Sequence, residues 1–254
     1  MTEMEFPEYT PVCPEGVTEL VLTVTPEQTD GGGVMRLDAL AHAMELATRE
    51  QFRQAGWTQR AFDDQNLVWV ISWTAIQIKR LPREEESLLL RVWPGRKKLS
   101  MHVRKYALYT ASGEPLAGTA SFFLLMDRAK RTLAPQSAGP DLPPVALPGE
   151  AENPPMRVPF PENLPDHRTR TVSAGEIDAN GHMNNACYLA WAEELCDPTY
   201  RASHAPRSVW VQYTKELKEG QTAILDWALE DNRLCVCAAA DGADAFLAVI
   251  QYQE

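Results

Sequence analysis

Leu37, Leu40, Ala41 and Met44 recur at i, i+3, i+4 and i+7, which is the apolar stripe of a helix that buries one face. The turn Asp30-Gly31-Gly32-Gly33 precedes this stripe, and Gly56 marks its expected end. Upstream, Val17 to Thr25 is rich in β-branched residues and predicts a strand. Downstream, Leu67 to Ile78, Ser87 to Trp93, Leu99 to Thr110 and Pro115 to Met126 have strand composition, with turns at Pro94-Gly95 and Ser112-Gly113. The first half is thus expected to be a strand, one long helix and an antiparallel meander.

The second half repeats that order in shorter form. Thr169 to Ile177 predicts a strand, Asp178 to His182 a loop, and about Asn184 to Cys196 a helix with Tyr188, Trp191, Ala192 and Leu195 along one stripe. Ser208 to Leu217, Thr222 to Leu229, Arg233 to Ala239 and Ala245 to Tyr252 follow as strands. A local signature also recurs: Val68-Trp69-Val70 before Trp93, and Val209-Trp210-Val211 before Trp227. Between the halves, residues 135–165 hold ten of the 19 prolines, and proline removes backbone donors and restricts the preceding residue, so neither a helix nor an inner strand persists there. The expected organisation is an N-terminal unit (1–134), a Pro-rich linker (135–165) and a C-terminal unit (166–254). In each unit a helix buries its stripe on one face of an antiparallel sheet, an α+β arrangement.

Composition narrows the function. The net charge of −11 excludes generic nucleic-acid binding through net charge, because such a chain repels phosphate. No apolar run approaches the ~20 residues of a membrane helix. Met1 to Tyr9 has three glutamates and no basic residue, unlike a secretory or transit leader, so the expected compartment is the cytoplasm. Five cysteines without a C-x-x-C spacing argue against a disulfide framework or a zinc site. The charge is unevenly shared: 16 basic and 17 acidic side chains up to residue 134, but 8 and 18 thereafter.

Reactive residue types are densest in Asp178-Ala179-Asn180-Gly181-His182-Met183-Asn184-Asn185, where a loop enters the second helix. An acid, an amide and an imidazole beside exposed helix N–H groups can position water and polarise a carbonyl. The same residues are also ordinary turn formers, and Asn184 is a natural N-cap. The corresponding loop of the first half, Asp30 to Met35, keeps the acid and the glycines but has neither Asn nor His. Lys215-Glu216-Leu217-Lys218-Glu219-Gly220, taken alone, reads as a solvated strand end before a turn. His42, His102, His167 and His204 are expected to be structural or exposed.

Asp178-x-Asn180-x-His182-x-Asn184-Asn185-x-x-Tyr188-x-x-Trp191 resembles the signature of acyl-acyl-carrier-protein thioesterases, including bacterial relatives of the plant plastid enzymes. The resemblance extends to Tyr213-x-x-Glu216 and to the Trp69 to Trp93 segment followed by Gly95 to Lys98. It implies a double hotdog fold, with fatty acyl thioester hydrolysis in the C-terminal unit and acyl-chain selection in the N-terminal one. The implied catalytic residues are Asp178, Asn180, His182 and Glu216, with no cofactor and no metal. Plant members often carry cysteine after that glutamate, whereas this chain has Leu217, which favours direct attack by water. Glu216 is the expected general base, held by Asn180 and His182, and Asp178 is its rival.

The implied partner is acyl carrier protein, a small acidic protein, so a basic landing area is needed. Lys79 to Lys105 contains nine basic and three acidic residues, and the turn residues Arg96, Lys97 and Lys98 are the expected docking site. A second basic group is Arg128, Lys130 and Arg131. An acyl-coenzyme A thioesterase and a non-catalytic acyl-binding protein are the competing functions, and a monomeric pseudo-dimer and a homodimer of it fit equally well.

Overall fold

A computed structural model describes residues 6–150 and 152–254; the start of the acidic Met1 to Tyr9 stretch lies outside them. The first unit runs β1 (Thr18–Thr23), α1 (Leu37–Gln54), α2 (Gln59–Asp64), β2 (Leu67–Ile78), β3 (Ser87–Lys98), β4 (Met101–Thr110), β5 (Pro115–Asp127) and the short β6 (Thr132–Leu133). The second runs β7 (Asp166–Thr171), α3 (Asn185–Glu193), α4 (Pro198–Ser203), β8 (Pro206–Tyr213), β9 (Thr222–Glu230), β10 (Arg233–Ala240) and β11 (Ala243–Tyr252). All strands join one antiparallel sheet ordered β1-β3-β4-β5-β2-β8-β11-β10-β9-β7, with β6 beside β5. The second half of that order is the first read backwards, so the units meet at the β2–β8 seam.

Equivalent backbone bonds locate the repeat. Lys79 N–H donates to the Leu116 carbonyl at 2.8 Å, and Thr214 N–H to the Ala245 carbonyl at 2.9 Å. Carried back along β2 and β8, this equivalence makes Ala75 and Trp210 mates. They also pair directly across the seam, so the local two-fold passes between them. The Trp69 and Trp210 signature is therefore not the structural repeat, because the true mate of Trp210 is an alanine. Duplication persists in the backbone register while side chains at equivalent places have diverged in size.

The α1 stripe behaves as its spacing predicts, whereas α3 ends at Glu193, short of the expected Cys196, so that Tyr188, Trp191 and Ala192 are buried on the helix and Leu195 falls in the turn after it. Leu37, Leu40, Ala43, Met44 and Ala47 of α1 are buried, and α1 packs against α3 over one sheet face. Gly56, at φ +80°, ends the α1 segment. The other sheet face holds Trp73 stacked on Phe122, with centroids 3.7 Å apart, together with Val103 and Trp210. Met156, Val158, Phe160 and Leu164 of the Pro-rich segment cover this face, so an extended, donor-poor chain acts as a lid over apolar surface.

Local patterning missed several features, among them that Pro94-Gly95 is no turn but lies inside β3, paired with Arg104 and Val103, the chain reversing instead at Leu99. The α2 and α4 helices, six residues each, are too short for a stripe to register, although Thr58 and Asp197 cap them with side-chain acceptors. The β7 strand stops at Thr171, and a 3-10 turn at Ala174–Glu176 follows, fixed by the Ser173/Glu176 capping box. The β8 strand stops at Tyr213, which leaves Glu216 in a loop rather than on the expected strand.

Glu193 on α3 is 9% exposed, and its carboxylate accepts the backbone N–H of Leu37 at 3.2 Å. Burial raises its pKa to about 7, against the lowering effect of that hydrogen bond. A carboxyl group whose folded pKa is raised favours the fold below its unfolded pKa near 4.5, and this contribution is lost as pH rises through 7. Glu193→Gln, which keeps the acceptor without the charge, is expected to raise stability at pH 8 more than at pH 5, by at most on the order of 3 kcal/mol. Denaturant midpoints at the two pH values check this; equal shifts would disprove it.

Candidate active site

Asp178 builds the loop before α3. Its Oδ1 accepts the N–H groups of Asn180 at 2.8 Å and His182 at 3.4 Å, and its Oδ2 accepts Asn180 Nδ2 at 3.1 Å. The backbone closes with Asp178 N–H to the His182 carbonyl at 2.8 Å, and Gly181 takes φ +80°. Asp30 builds the same turn in the first unit: its Oδ1 accepts Gly32 N–H at 2.8 Å and Val34 N–H at 3.1 Å, and Gly33 takes φ +70°. Gly32 thus stands where Asn180 does, and Val34 where His182 does. The turn forms without reactive side chains in the first unit, so Asp178 builds the loop as Asp30 builds its twin, and it also lines the adjoining cavity.

His182 Nε2 lies 3.2 Å from Glu216 Oε2, and Arg131 lies 3.6 Å from the same oxygen. Met183 N–H donates to the Leu217 carbonyl, and Met35 N–H to the Pro82 carbonyl, which makes Leu81 the counterpart of Glu216. The first unit therefore places valine and leucine where the second has imidazole and carboxylate. Two sequence expectations change. Asn180 binds Asp178 rather than Glu216, so His182 alone of the expected pair holds that carboxylate. Arg131, grouped only as a basic residue, reaches the site from the end of β5.

The N-cap of α3 is Asn184, whose Oδ1 accepts Ala186 N–H at 2.7 Å and whose Nδ2 donates to Glu45 of α1 at 3.0 Å. Leu217 is fully buried and donates its N–H to the Tyr188 hydroxyl at 3.1 Å. Cys187, the thiol carried by α3, is pushed up to about 11, first by burial, so no thiolate is available near the loop at neutral pH. Among the described residues no three His, Cys, Asp or Glu side chains are grouped to hold a metal.

A cavity of about 540 Å³ adjoins the loop. Asp178, Ala179, Asn180 and Asn185, together with Ala186, Leu189 and Tyr213, form its wall on the second unit, and α1, β2 and β5 of the first unit supply most of the rest. Its surface mixes apolar side chains such as Met44, Phe52 and Ile71 with two hydroxyl pairs, Thr48–Tyr106 at 2.7 Å and Thr74–Ser121 at 2.8 Å. His182 and Glu216 flank the loop that borders it and are not themselves among its lining residues.

Comparison with known proteins accords with this geometry. A family model described as the acyl-ACP thioesterase N-terminal domain matches residues 19–137, and one described as the C-terminal domain matches residues 165–250. The chain belongs to the acyl-ACP thioesterase family. These enzymes are thioester hydrolases. The family member described as palmitoyl-acyl carrier protein thioesterase, chloroplastic, from Gossypium hirsutum is 22% identical over 159 residues, covering 59% of this chain and 38% of that protein's own length. An acyl-ACP thioesterase from Bacteroides thetaiotaomicron is 18% identical, covers 94% of this chain and 98% of its own, and superposes with a TM-score of 0.85. The 12:0-ACP thioesterase from Umbellularia californica is 16% identical over 95% of this chain and 99% of its own, with a TM-score of 0.82. At such identities the solved structures establish the shared hotdog-type fold. Among the described residues no helix is long and apolar enough to cross a membrane.

Proposed function

We propose that this chain hydrolyses the thioester of fatty acyl-acyl carrier protein, releasing free fatty acid and ending chain elongation in fatty acid biosynthesis. The observation that carries the reading is the His182–Glu216 pair beside a large cavity, at a loop whose twin in the first unit has lost both groups. The acyl chain enters the cavity against the first unit, and the carrier arm approaches from the open side, where Glu216 and Arg131 are exposed. The thioester oxygen sits at the start of α3, where the N–H of Asn185 has no acceptor among the described residues, and developing charge there is favoured by the helix end. Glu216, paired with His182, takes the proton of the attacking water. The water oxygen bonds to the carbonyl carbon, the C–S bond breaks, and the departing thiolate is protonated through His182. Substituting Ala41, on the cavity wall, by phenylalanine should shift the acyl-length profile toward shorter chains. An unchanged product profile by gas chromatography would remove the acyl group from this cavity.

Carrier docking is the second element. Arg96 and Lys97 are exposed on the β3–β4 hairpin, whereas Lys98 is half-buried with Nζ 3.4 Å from the Pro154 carbonyl. The basic run from Lys79 to Lys105 is less open than its charge implies, because Arg91, Arg104 and Lys105 are buried and Arg91 is bound to Glu19 at 2.7 Å. We place the landing area on Arg96, Lys97 and Lys98. Charge reversal at all three should raise KM for carrier-bound substrate about tenfold, the increase shrinking with added salt, and leave KM for the coenzyme A ester unchanged. Equal KM values for the carrier substrate before and after reversal would refute this docking site. We assign the chain to the cytoplasm, where thiols such as its five free cysteines stay reduced. Because α1 of one unit already packs on α3 of the other, one chain supplies a whole site without a second copy.

A further inference from the structure

The local two-fold relates Leu37 to Asn185, the first residues of α1 and α3, and Glu45 of α1 to Glu193 of α3. One half of this relation is closed. Glu193 accepts the Leu37 N–H at 3.2 Å, so a buried carboxylate occupies the start of α1. The other half is open. Glu45 Oε2 is drawn aside to Asn184 Nδ2 at 3.0 Å, and the Asn185 N–H, mate of Leu37 N–H, keeps no acceptor among the described residues. The divergence originates at the N-cap. Where the second unit has Asn184, the first has Arg36, whose guanidinium turns to Asp38 at 2.9 Å and to the Glu27 and Thr29 carbonyls and leaves Glu193 to Leu37.

Glu45 and Asn185 both line the cavity. Two carboxylates face that cavity, Asp178 and Glu45. Asp178 already accepts three hydrogen bonds from its own loop. Glu45 has one engaged oxygen, bonded to Asn184 with His42 Nδ1 3.6 Å from it, while Oε1 has no hydrogen-bond partner among the described residues. A carboxylate oxygen without a partner and an N–H without an acceptor on the wall of one cavity are the two groups needed to hold a water against a carbonyl.

We infer that Glu45 is a catalytic residue supplied by the N-terminal unit, its free oxygen accepting a hydrogen bond from the attacking water while Asn185 N–H binds the thioester oxygen. This rests on the hydrolase reading above and extends it, since the first unit then contributes to chemistry as well as to the chain pocket. The water proton still leaves through Glu216 and His182, and Glu45 orients the water without forming a covalent bond.

Steady-state hydrolysis of acyl-carrier substrates by the full chain tests the inference with Glu45→Gln, Glu45→Ala and His182→Ala. Glutamine keeps an acceptor for Asn184 and removes the charge, whereas alanine removes both. Both Glu45 variants should lose about 100-fold in kcat, with KM and thermal midpoint close to the parent. Wild-type kcat in Glu45→Gln would overturn the inference whether or not Glu45→Ala is impaired, because Glu45 would then be only an anchor for Asn184. If Glu45→Gln does not fold, Glu45→Asp decides: a shortened carboxylate that held full kcat would exclude a positioned water on Oε1. Absence of turnover in the parent, or full turnover in His182→Ala, is the separate signature of failure of the hydrolase reading itself.

Discussion

His182→Ala and Glu216→Gln each lower kcat by about 10²- to 10⁴-fold, the usual yield of a positioned acid or base, and leave the fold intact. The two effects separate because the pair contributes little to stability. The His182 side chain is 28% exposed and that of Glu216 40%, and ion pairs so open to water contribute about 0–1 kcal/mol. The second unit also retains the turn built by Asp178, which does not need either residue, as the Asp30 turn with Val34 demonstrates. Circular dichroism together with single-turnover rates checks both halves of the expectation. Near-parental rates in both variants would remove the pair from the chemistry, and a collapsed thermal midpoint would give it a structural role.

Trp73→Ala destabilises the protein by about 3–5 kcal/mol, the range for deleting a buried aromatic side chain. Trp73 is 2% exposed, stacks on Phe122 at 3.7 Å, and sits on β2 at the seam, opposite Gln212 of β8. Its removal leaves a cavity beneath the Pro-rich segment, whose Met156, Val158 and Phe160 are held by the apolar face they cover. The same β2 strand carries Ile71 and Thr74 on the cavity side, so the chain pocket should loosen together with the seam. Chemical denaturation measures the loss, and a change under 1 kcal/mol would mean that the proline segment collapses into the space without cost.

The α1 helix was readable because its burial repeats every turn, whereas α3 is buried on most of its sides and was marked by its run of apolar residues after the Asn184 cap. The strands were readable for the corresponding reason at period two. The reactive loop was legible as a density of unusual residue types. Glu216 was legible only through resemblance, since Lys215 to Gly220 has the composition of any solvated turn. Glu45 was not legible at all: it lies between Met44 and Leu46 in an amphipathic helix, where a glutamate on the margin of the stripe is unremarkable. Arg131, in a tight turn at φ +54°, offered only its charge.

The order of elements, the proline segment, the two-unit plan and the loop from Asp178 to Asn185 are properties of the sequence, because each follows from local periodicity, backbone restriction or residue chemistry. Which groups meet was decided by the tertiary structure alone. Antiparallel pairing of β2 with β8 sets α1 against α3, and this brings Glu45 to Asn184 across 139 positions. It also lets the same turn hold Val34 in one unit and His182 in the other. Contacts of that range depend on sheet register and helix packing, which are properties of the whole fold and leave no local periodicity in the chain.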